Sequence, residues 1–429
     1  MTSAIAAYLT KRYGKFMNPM PSIDTLAKDF PFVPRQQREG ASYDFPIRLG
    51  LPGGVTFDDT NTAFPTKSPI AAVFKSASVT GSSILVQDDV PYNDVFATMN
   101  GISDGGGQGG AYFDKWDEAT EGVMLTAEVY REIQLLAGPG PTSTAAASIG
   151  TVSASVSGAN LAAPQVVNIT KSTWRPGLFQ RLIGHLFDVY QSDGTTLRAS
   201  GVTLQAVVDS TNRLQLFKTG SAATVAANDI ILPASSIDVS CYGIEAIAAN
   251  TGSLFGIDAG VYPQWKVSQF AVGGALTRAK ILGALATLKA KGVRDGGTLY
   301  VSAPCMADLI EEANTLVRFT PQAADKPDVR VQGTSRVEYA TQIGLVVVKT
   351  HDYFQQGLAF FNPNKNGGIR VGQTDNTFTN GKNEMFLQEL ENNAGSRIRC
   401  FSHQAPLLPL PHQCMRFTGI VSTYDSAPA

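Results

Sequence analysis

The 429-residue sequence is short of charge, histidine, cysteine and long apolar runs, and each shortage excludes something. Asp, Glu, Lys and Arg make up 16% of it, against about a quarter in an ordinary soluble chain. A surface so poor in charge suits contact with other protein surfaces. The 34 basic and 36 acidic residues nearly cancel, leaving −2, so the chain is no polycation that grips nucleic acid by counterion release. Four cysteines (Cys241, Cys305, Cys400 and Cys414) are too few and too scattered for a disulfide framework, which makes a reducing compartment the default. No apolar run approaches the ~18 residues that cross a bilayer. The first residues, MTSAIAAYLTKRYGKF, lack the apolar core of a secretory signal, so neither a membrane nor an exported protein is expected.

Motifs that carry chemistry are equally sparse. The stretch NGISDGGGQGG contains a literal G-x-G-x-x-G at Gly105, Gly107 and Gly110. A dinucleotide fingerprint needs a buried strand before it and an acidic strand end about 20 residues beyond. Here PYNDVFATMN precedes it and a helical pattern occupies the place of the second strand, so the reading is a hinge and not a phosphate cradle. In CFSHQAPLLPLPHQC, Cys400, His403, His412 and Cys414 have the chemistry of zinc ligands. Their spacing is wrong, because on a strand Cys400 and His403 point to opposite faces. The paired acids Asp58-Asp59, Asp88-Asp89 and Glu311-Glu312 read as tips and solvated faces. A hydrolase would need His185, His351, His403 or His412 as its base. His351, ending a buried strand at KTHDYF, is the best placed, yet no nucleophile can be nominated beside it. No catalytic, cofactor or metal residue is assigned.

The order of parts is more informative. Residues 1–39, broken at Pro19, Pro21, Pro31 and Pro34, read as an arm. Residues 40–75 give two extended runs around LPGGVTFDDTNT, with proline in or beside both, which confines them to an exposed two-stranded ribbon. Such a hairpin is marginal alone and wants a partner surface. A strand follows, then a turn at Asp88-Asp89-Val90-Pro91. Residues 119–137 repeat apolar positions at helical spacing and stop at Gly138-Pro139. Between Ile133 and Thr170 there is no charge at all, so 140–165 reads as an uncharged linker. Residues 166–240 (VVNIT, FDVYQ, TLRASGVTLQAVV, RLQLF and ATVAANDIILP) form a small β-barrel or sandwich. Residues 241–383 are mixed α/β: a helix over Leu276–Lys291 ended by Gly292, the strand TLYVS with a helix holding Pro304 in its first turn, then GLVVVKT and GLAFFNP. The segment EMFLQELENNAGSRIRCFSHQAPLLPL is a long strand or strand pair returning elsewhere.

This order resembles the tailed-bacteriophage major capsid protein, a fold shared with encapsulins. TLYVSAPCMADLIEEA is similar to that family's strand, small-residue-proline turn and helix. QIGLVVVKTHDYFQQGLAFFNP resembles its strand, acidic loop and closing strand, and GIDAGVYPQWK its lead into the first axial helix. The resemblance implies an α+β capsid fold. In it, 40–75 is the extended loop, 76–139 and 384–429 the peripheral domain with spine helix 119–137, 166–240 an inserted β-barrel domain, and 241–383 the axial domain. It further implies a non-enzymatic shell subunit without cofactors. That subunit forms hexamers and pentamers in an icosahedral virion capsid around double-stranded DNA, which it contacts non-specifically, and is assembled in the host bacterial cytoplasm. An arm of residues 1–39 is too short for a fused scaffolding segment, so a separate scaffolding protein and a portal are implied, with room for a decoration protein. Some relatives cross-link an extended-loop lysine to a neighbour's asparagine. Lys67 or Lys75 with Asn362, Asn364 or Asn366 has no pattern that assigns it. The competing readings are an encapsulin-like compartment and a two-domain hydrolase using His351. Sedimentation at megadalton size separates the shell readings from the enzyme.

Overall fold

Strands dominate the computed structural model, which describes residues 26–34, 42–55, 68–92, 115–140, 147–157, 160–175, 177–316, 337–365, 367–378, 387–390 and 394–424. Four strands come first: β1 Phe32–Pro34, β2 Tyr43–Arg48, β3 Phe74–Val79 and β4 Ser82–Pro91. Helix α1 (Lys115–Ala137) precedes six more, β5 Gly150–Ser157, β6 Gln165–Ile169, β7 Leu186–Tyr190, β8 Leu197–Val208, β9 Arg213–Phe217 and β10 Ile230–Pro233, with the short α2 (Leu178–Arg181) among them. After α3 (Ile244–Ala249) come β11 Ser253–Leu254, β12 Ile257–Asp258, β13 Ser268–Gly274, α4 (Arg278–Ala290), β14 Gly297–Val301 and α5 (Ala303–Leu316). The last strands are β15 Glu338–Thr341, β16 Gly344–Thr350, β17 Leu358–Pro363, β18 Ile369–Thr377, β19 Leu387–Glu389, β20 Gly395–Leu407 and β21 Met415–Ile420. The class is α+β, as expected. The chain divides into two compact units. The smaller takes in Ser82–Glu132 and Gly372–Gln404, and the larger Asp24–Gly81, Ile133–Val371 and Ala405–Ala429.

In the smaller unit, Ala119, Val123 and Ala127 recur every four residues, which puts them on one face of α1. That face packs on Val86 and Val90 of β4 and on Ile398 and Cys400 of β20, which share a sheet face because their spacing is two. Arg131 on the next turn reaches Asp375 at 2.8 Å. The turn expected at Asp88-Asp89-Val90-Pro91 is instead the end of β4, paired antiparallel with β20 from Ser82↔Gln404 to Pro91↔Gly395. Two adjacent acids and a proline signal a turn locally. Here Asp89 forms a two-pronged ion pair with Arg397 opposite it, and the proline closes the strand, where losing an N–H costs least.

The larger unit holds a six-stranded sheet in the order β13-β21-β17-β14-β16-β15. β14 and β16 run parallel, with α5 and β15 between them in the chain, and β17 lies antiparallel on the other side of β14. Ile281, Leu285 and Leu288 of α4 and Met306 and Leu309 of α5 bury against Leu299, Val301, Val346, Phe361 and Phe417. The local signals of α4 are complete. Thr277 caps its start by accepting the Lys280 N–H at 3.5 Å. At its end the N–H groups of Gly292 and Val293 bond the carbonyls of Lys289 and Leu288, while Val293 and Leu288 both enter the core. The described part of the arm also lies in this unit. Phe30 is buried, Arg370 bonds the carbonyls of Ala27 and Phe30, and Asp29 pairs with Lys349 at 2.7 Å.

Two boundaries differ from expectation. The segment read as a linker, 140–165, contains strand β5. It completes a closed barrel in the order β10-β5-β6-β9-β8-β7, so the all-β part begins near Gly150 and not at 166. Its sequence, GTVSASVS, has the composition of a linker. Pairing with β6 on one side and β10 on the other makes it a strand, and closure removes both edges. The chain leaves for the barrel at Gly138 and returns at Gly243, whose N–H bonds the Gly138 carbonyl at 2.9 Å. A Cβ on Gly138 would stand 2.3 Å from the Cys241 carbonyl oxygen, and only glycine permits that approach. The second difference concerns the returning strands of 384–429. β19 and most of β20 pair in the smaller unit, but β21 lies between β13 and β17 in the six-stranded sheet. Its Met415, Phe417 and Ile420 fill the α/β core, a destination that the segment's own pattern does not encode.

Candidate functional site

The feature with no internal explanation is the ribbon of β2 and β3. Its base is anchored: Tyr43 pairs with Val79 and Phe45 with Ala77. Ala77 and Val79 pack with Ile257, Trp265 and Leu407 in one buried cluster. Toward the tip, the N–H groups of Leu49 and Gly50 both bond the Val73 carbonyl, at 2.8 and 3.3 Å. The register slips by one residue there, so that Gly53 meets Ile70. The apolar residues on either side of the slip face solvent: Phe74, just before it, is 61% exposed, and beyond it Leu51 is 77% exposed, Val55 70% and Ile70 67%. A single exposed apolar side chain needs no explanation, but four on one narrow ribbon form a surface made to be covered. Residues 56–67, which hold the Asp-Asp-Thr-Asn half of the expected tip, lie outside the described residues, and so does the glycine run with Gly105, Gly107 and Gly110.

The residues weighed for catalysis occupy structural positions. His351 is buried at the end of β16, where its Nδ1 accepts the Tyr353 N–H at 3.2 Å. The rings of Tyr353 and Phe354 stand edge-on to it at 5.7 and 5.8 Å, so the imidazole shapes a loop instead of facing a substrate cleft. Cys400 faces α1, packed on Val123 and Ala127, and His403 lies an odd number of residues further along the same strand. His412 Nδ1 is 3.2 Å from the Gln264 carbonyl oxygen. Cys414 is fully buried, which pushes its thiol up to about 12. Among the described residues no three His, Cys, Asp or Glu side chains form a group that could hold a metal ion. Lys75 is exposed on the ribbon, whereas Asn362 is buried, with its Oδ1 accepting the Gly368 N–H, and Lys67 and Asn366 fall outside the described residues.

Two histidines do carry a testable electrostatic consequence. Burial lowers the pKa of both His185 and His412 from the ordinary 6.5, because it favours the neutral ring. The unfolded chain then binds protons more tightly than the folded one. Stability that is present above pH 6.5 is therefore lost as pH falls through the folded values. Urea titrations at pH 7.5 and pH 5 should show a lower midpoint in acid, and His185→Gln/His412→Gln should flatten that difference. An unchanged slope in the double variant would assign the acid loss to other groups.

No family model and no characterised protein matches the sequence. Fold comparison does find relatives. The capsid asymmetric unit of cyanophage A-1(L) superposes with a TM-score of 0.56 at 11% identity, covering 96% of this chain and 96% of that one. The chain has the fold of a phage capsid protein. The capsid of a native GTA particle aligns over 98% of this chain and 100% of its own, at 9% identity and a TM-score of 0.48. The SrpI encapsulin of Synechococcus elongatus PCC 7942 aligns over 99% and 97%, at 8% identity and 0.41. What sequence reasoning missed is where the apolar surface of this capsid fold begins. The slip at Val73, which lies within that exposed stretch, depends on a pairing that no local motif announces.

Proposed function

We propose that this chain is the major shell subunit of an icosahedral phage head enclosing double-stranded DNA, acting without catalysis. The observation that carries the reading is the capsid fold, matched over nearly the whole of both chains. The ribbon supports it independently, since an apolar surface held away from its own core stabilises nothing until a second subunit covers it. In this reading the ribbon is the extended loop, α1 the spine helix, the smaller unit the peripheral domain and the six-stranded sheet the axial domain. The barrel is an insertion between Gly138 and Gly243. Hexamers and pentamers then close through repeated modest contacts, each made effectively intramolecular by those already formed. A net charge of −2 lets packed DNA lie against the shell without being gripped. A separate scaffolding protein and a portal complete the set of partners.

The purified chain, alone and with a scaffolding protein from the same genome, is expected to sediment as megadalton particles. Negative-stain electron microscopy should show closed shells of uniform diameter. A monomer or small oligomer under every assembly condition would overturn the proposal.

A further inference from the structure

At the centre of the junction between the inserted barrel and the α/β body lies a fully buried guanidinium. Arg175, in the loop between β6 and α2, is 1% exposed. Its Nε–H donates to the Ile149 carbonyl at 3.1 Å, and Nη2 donates to the Ser148 carbonyl at 2.8 Å and to Glu245 Oε2 at 2.5 Å. Nη1 donates to Glu245 Oε1 at 3.0 Å and to the Tyr353 carbonyl at 2.6 Å. All five N–H donors of the fork are used. The acceptors come from three different parts of the chain. Ser148 and Ile149 lie where the chain enters the barrel, Glu245 is on the first turn of α3 where it has returned, and Tyr353 is in the body loop between β16 and β17.

The surroundings repeat the pattern. Gln355 donates to Glu245 Oε2 at 3.4 Å, and the N–H groups of Gln356 and Gly357 bond the carbonyls of Trp174 and Ser172 at 3.0 Å each. Arg181 donates to the Tyr353 hydroxyl at 2.5 Å, with its guanidinium 5.2 Å from the centre of that ring. Burial pushes the Glu245 carboxyl up against the pull of Arg175, which marks the pair as expensive to keep dry. An apolar pair of similar volume would commonly serve stability as well or better. What apolar side chains cannot supply is a single geometry, whereas a planar fork with five occupied donors has only one.

We propose that Arg175 is a positioning residue that, through Glu245, fixes the orientation of the inserted barrel on the α/β body. The pair controls the barrel's rotational freedom and not its folding. The inference rests on the contacts within one subunit and holds whether or not the shell reading does.

The test uses the full-length chain with spin labels at Ser192→Cys on the barrel and Ala290→Cys at the end of α4, the four native cysteines being buried. The parent should give one narrow distance distribution. In Arg175→Met/Glu245→Met, which leaves no unpaired buried charge, the distribution should broaden to at least about twice its width. Amides of β7, β8 and β9 and of β14 and β17 should keep their hydrogen-exchange protection, while those of Gln356 and Gly357, which bond the Trp174 and Ser172 carbonyls across the junction, exchange at least tenfold faster. Arg175→Lys, which keeps the charge and loses the fork, should broaden the distribution as well. A narrow distribution in the double variant, or in Arg175→Lys, overturns the proposal. So does loss of protection throughout the barrel, which would make the pair a stabiliser of the fold.

Discussion

Replacing Leu51, Val55, Ile70 and Phe74 together by serine is expected to abolish particle formation while leaving the subunit as stable as before. In the isolated subunit these side chains already stand mostly in water, so their loss removes little native burial. Surface substitutions of this kind usually fall within about 0.5 kcal/mol each. In an assembly that covers them, each large apolar side chain contributes about 1.5–3 kcal/mol. Four then amount to roughly 6–12 kcal/mol per ribbon before the cost of ordering it is subtracted. Even half of that is more than a hundredfold in each subunit contact, at about 1.4 kcal/mol per factor of ten, and a closed shell multiplies the effect over every subunit. Sedimentation velocity would read the loss of particles, and thermal unfolding the unchanged subunit. The contrast lies at the other end of the same ribbon. Tyr43 is fully buried, and Tyr43→Ala should cost folding stability, about 3–5 kcal/mol by analogy with other aromatic truncations. Normal shells from the quadruple serine variant would sink the assignment of the ribbon as an assembly surface.

The difference between the two ends of the ribbon also shows what a sequence makes legible. Proline beside alternating residues announces an exposed two-stranded ribbon, because it removes N–H groups that a central strand needs. Helix α4 is written out locally, from the Thr277 cap through the 281/285/288 stripe to Gly292. Five barrel strands are visible by alternation and turn clusters. The sixth, β5, is hidden because Ser, Ala, Gly and Thr describe a linker equally well, and only its two neighbours make it a strand. The end of β4 fails for the opposite reason: Asp88-Asp89-Val90-Pro91 carries a strong local turn signal that pairing with β20 overrides. Most distant from sequence reasoning is the Arg175–Glu245 contact. Seventy residues separate its members, and each alone reads as an ordinary surface charge. Periodicity reports which face of an element is buried, but not what covers it.

Gly296→Ala should cause the largest loss of folding stability of any single methyl addition near the six-stranded sheet. Gly296 precedes β14 with φ +69°, and a Cβ there would stand 2.0 Å from the Leu345 carbonyl oxygen and 3.0 Å from the Leu345 nitrogen. Neither atom can swing aside, because both belong to the backbone of β16, which runs parallel to β14. The Gly296 N–H also bonds the Ile343 carbonyl at 2.6 Å, so relief of the clash would break the contact that sets the register of the two strands. The left-handed conformation alone costs an alanine about 1–2 kcal/mol, and forcing atoms into a packed backbone adds about 1–3 more. The sum, roughly 2–5 kcal/mol, is a large share of the roughly 5–15 kcal/mol that holds a typical domain folded. Gly292→Ala supplies the control. It shares the left-handed conformation, at φ +91°, but its Cβ would meet nothing nearer than the Gln413 Nε2 at 3.8 Å. It should therefore cost the conformational part alone, about 1–2 kcal/mol. Urea unfolding of the unassembled subunit measures both. A Gly296→Ala loss no larger than that of Gly292→Ala would mean that the strands yield to the methyl, and that the close approach of β14 and β16 is not what fixes their register.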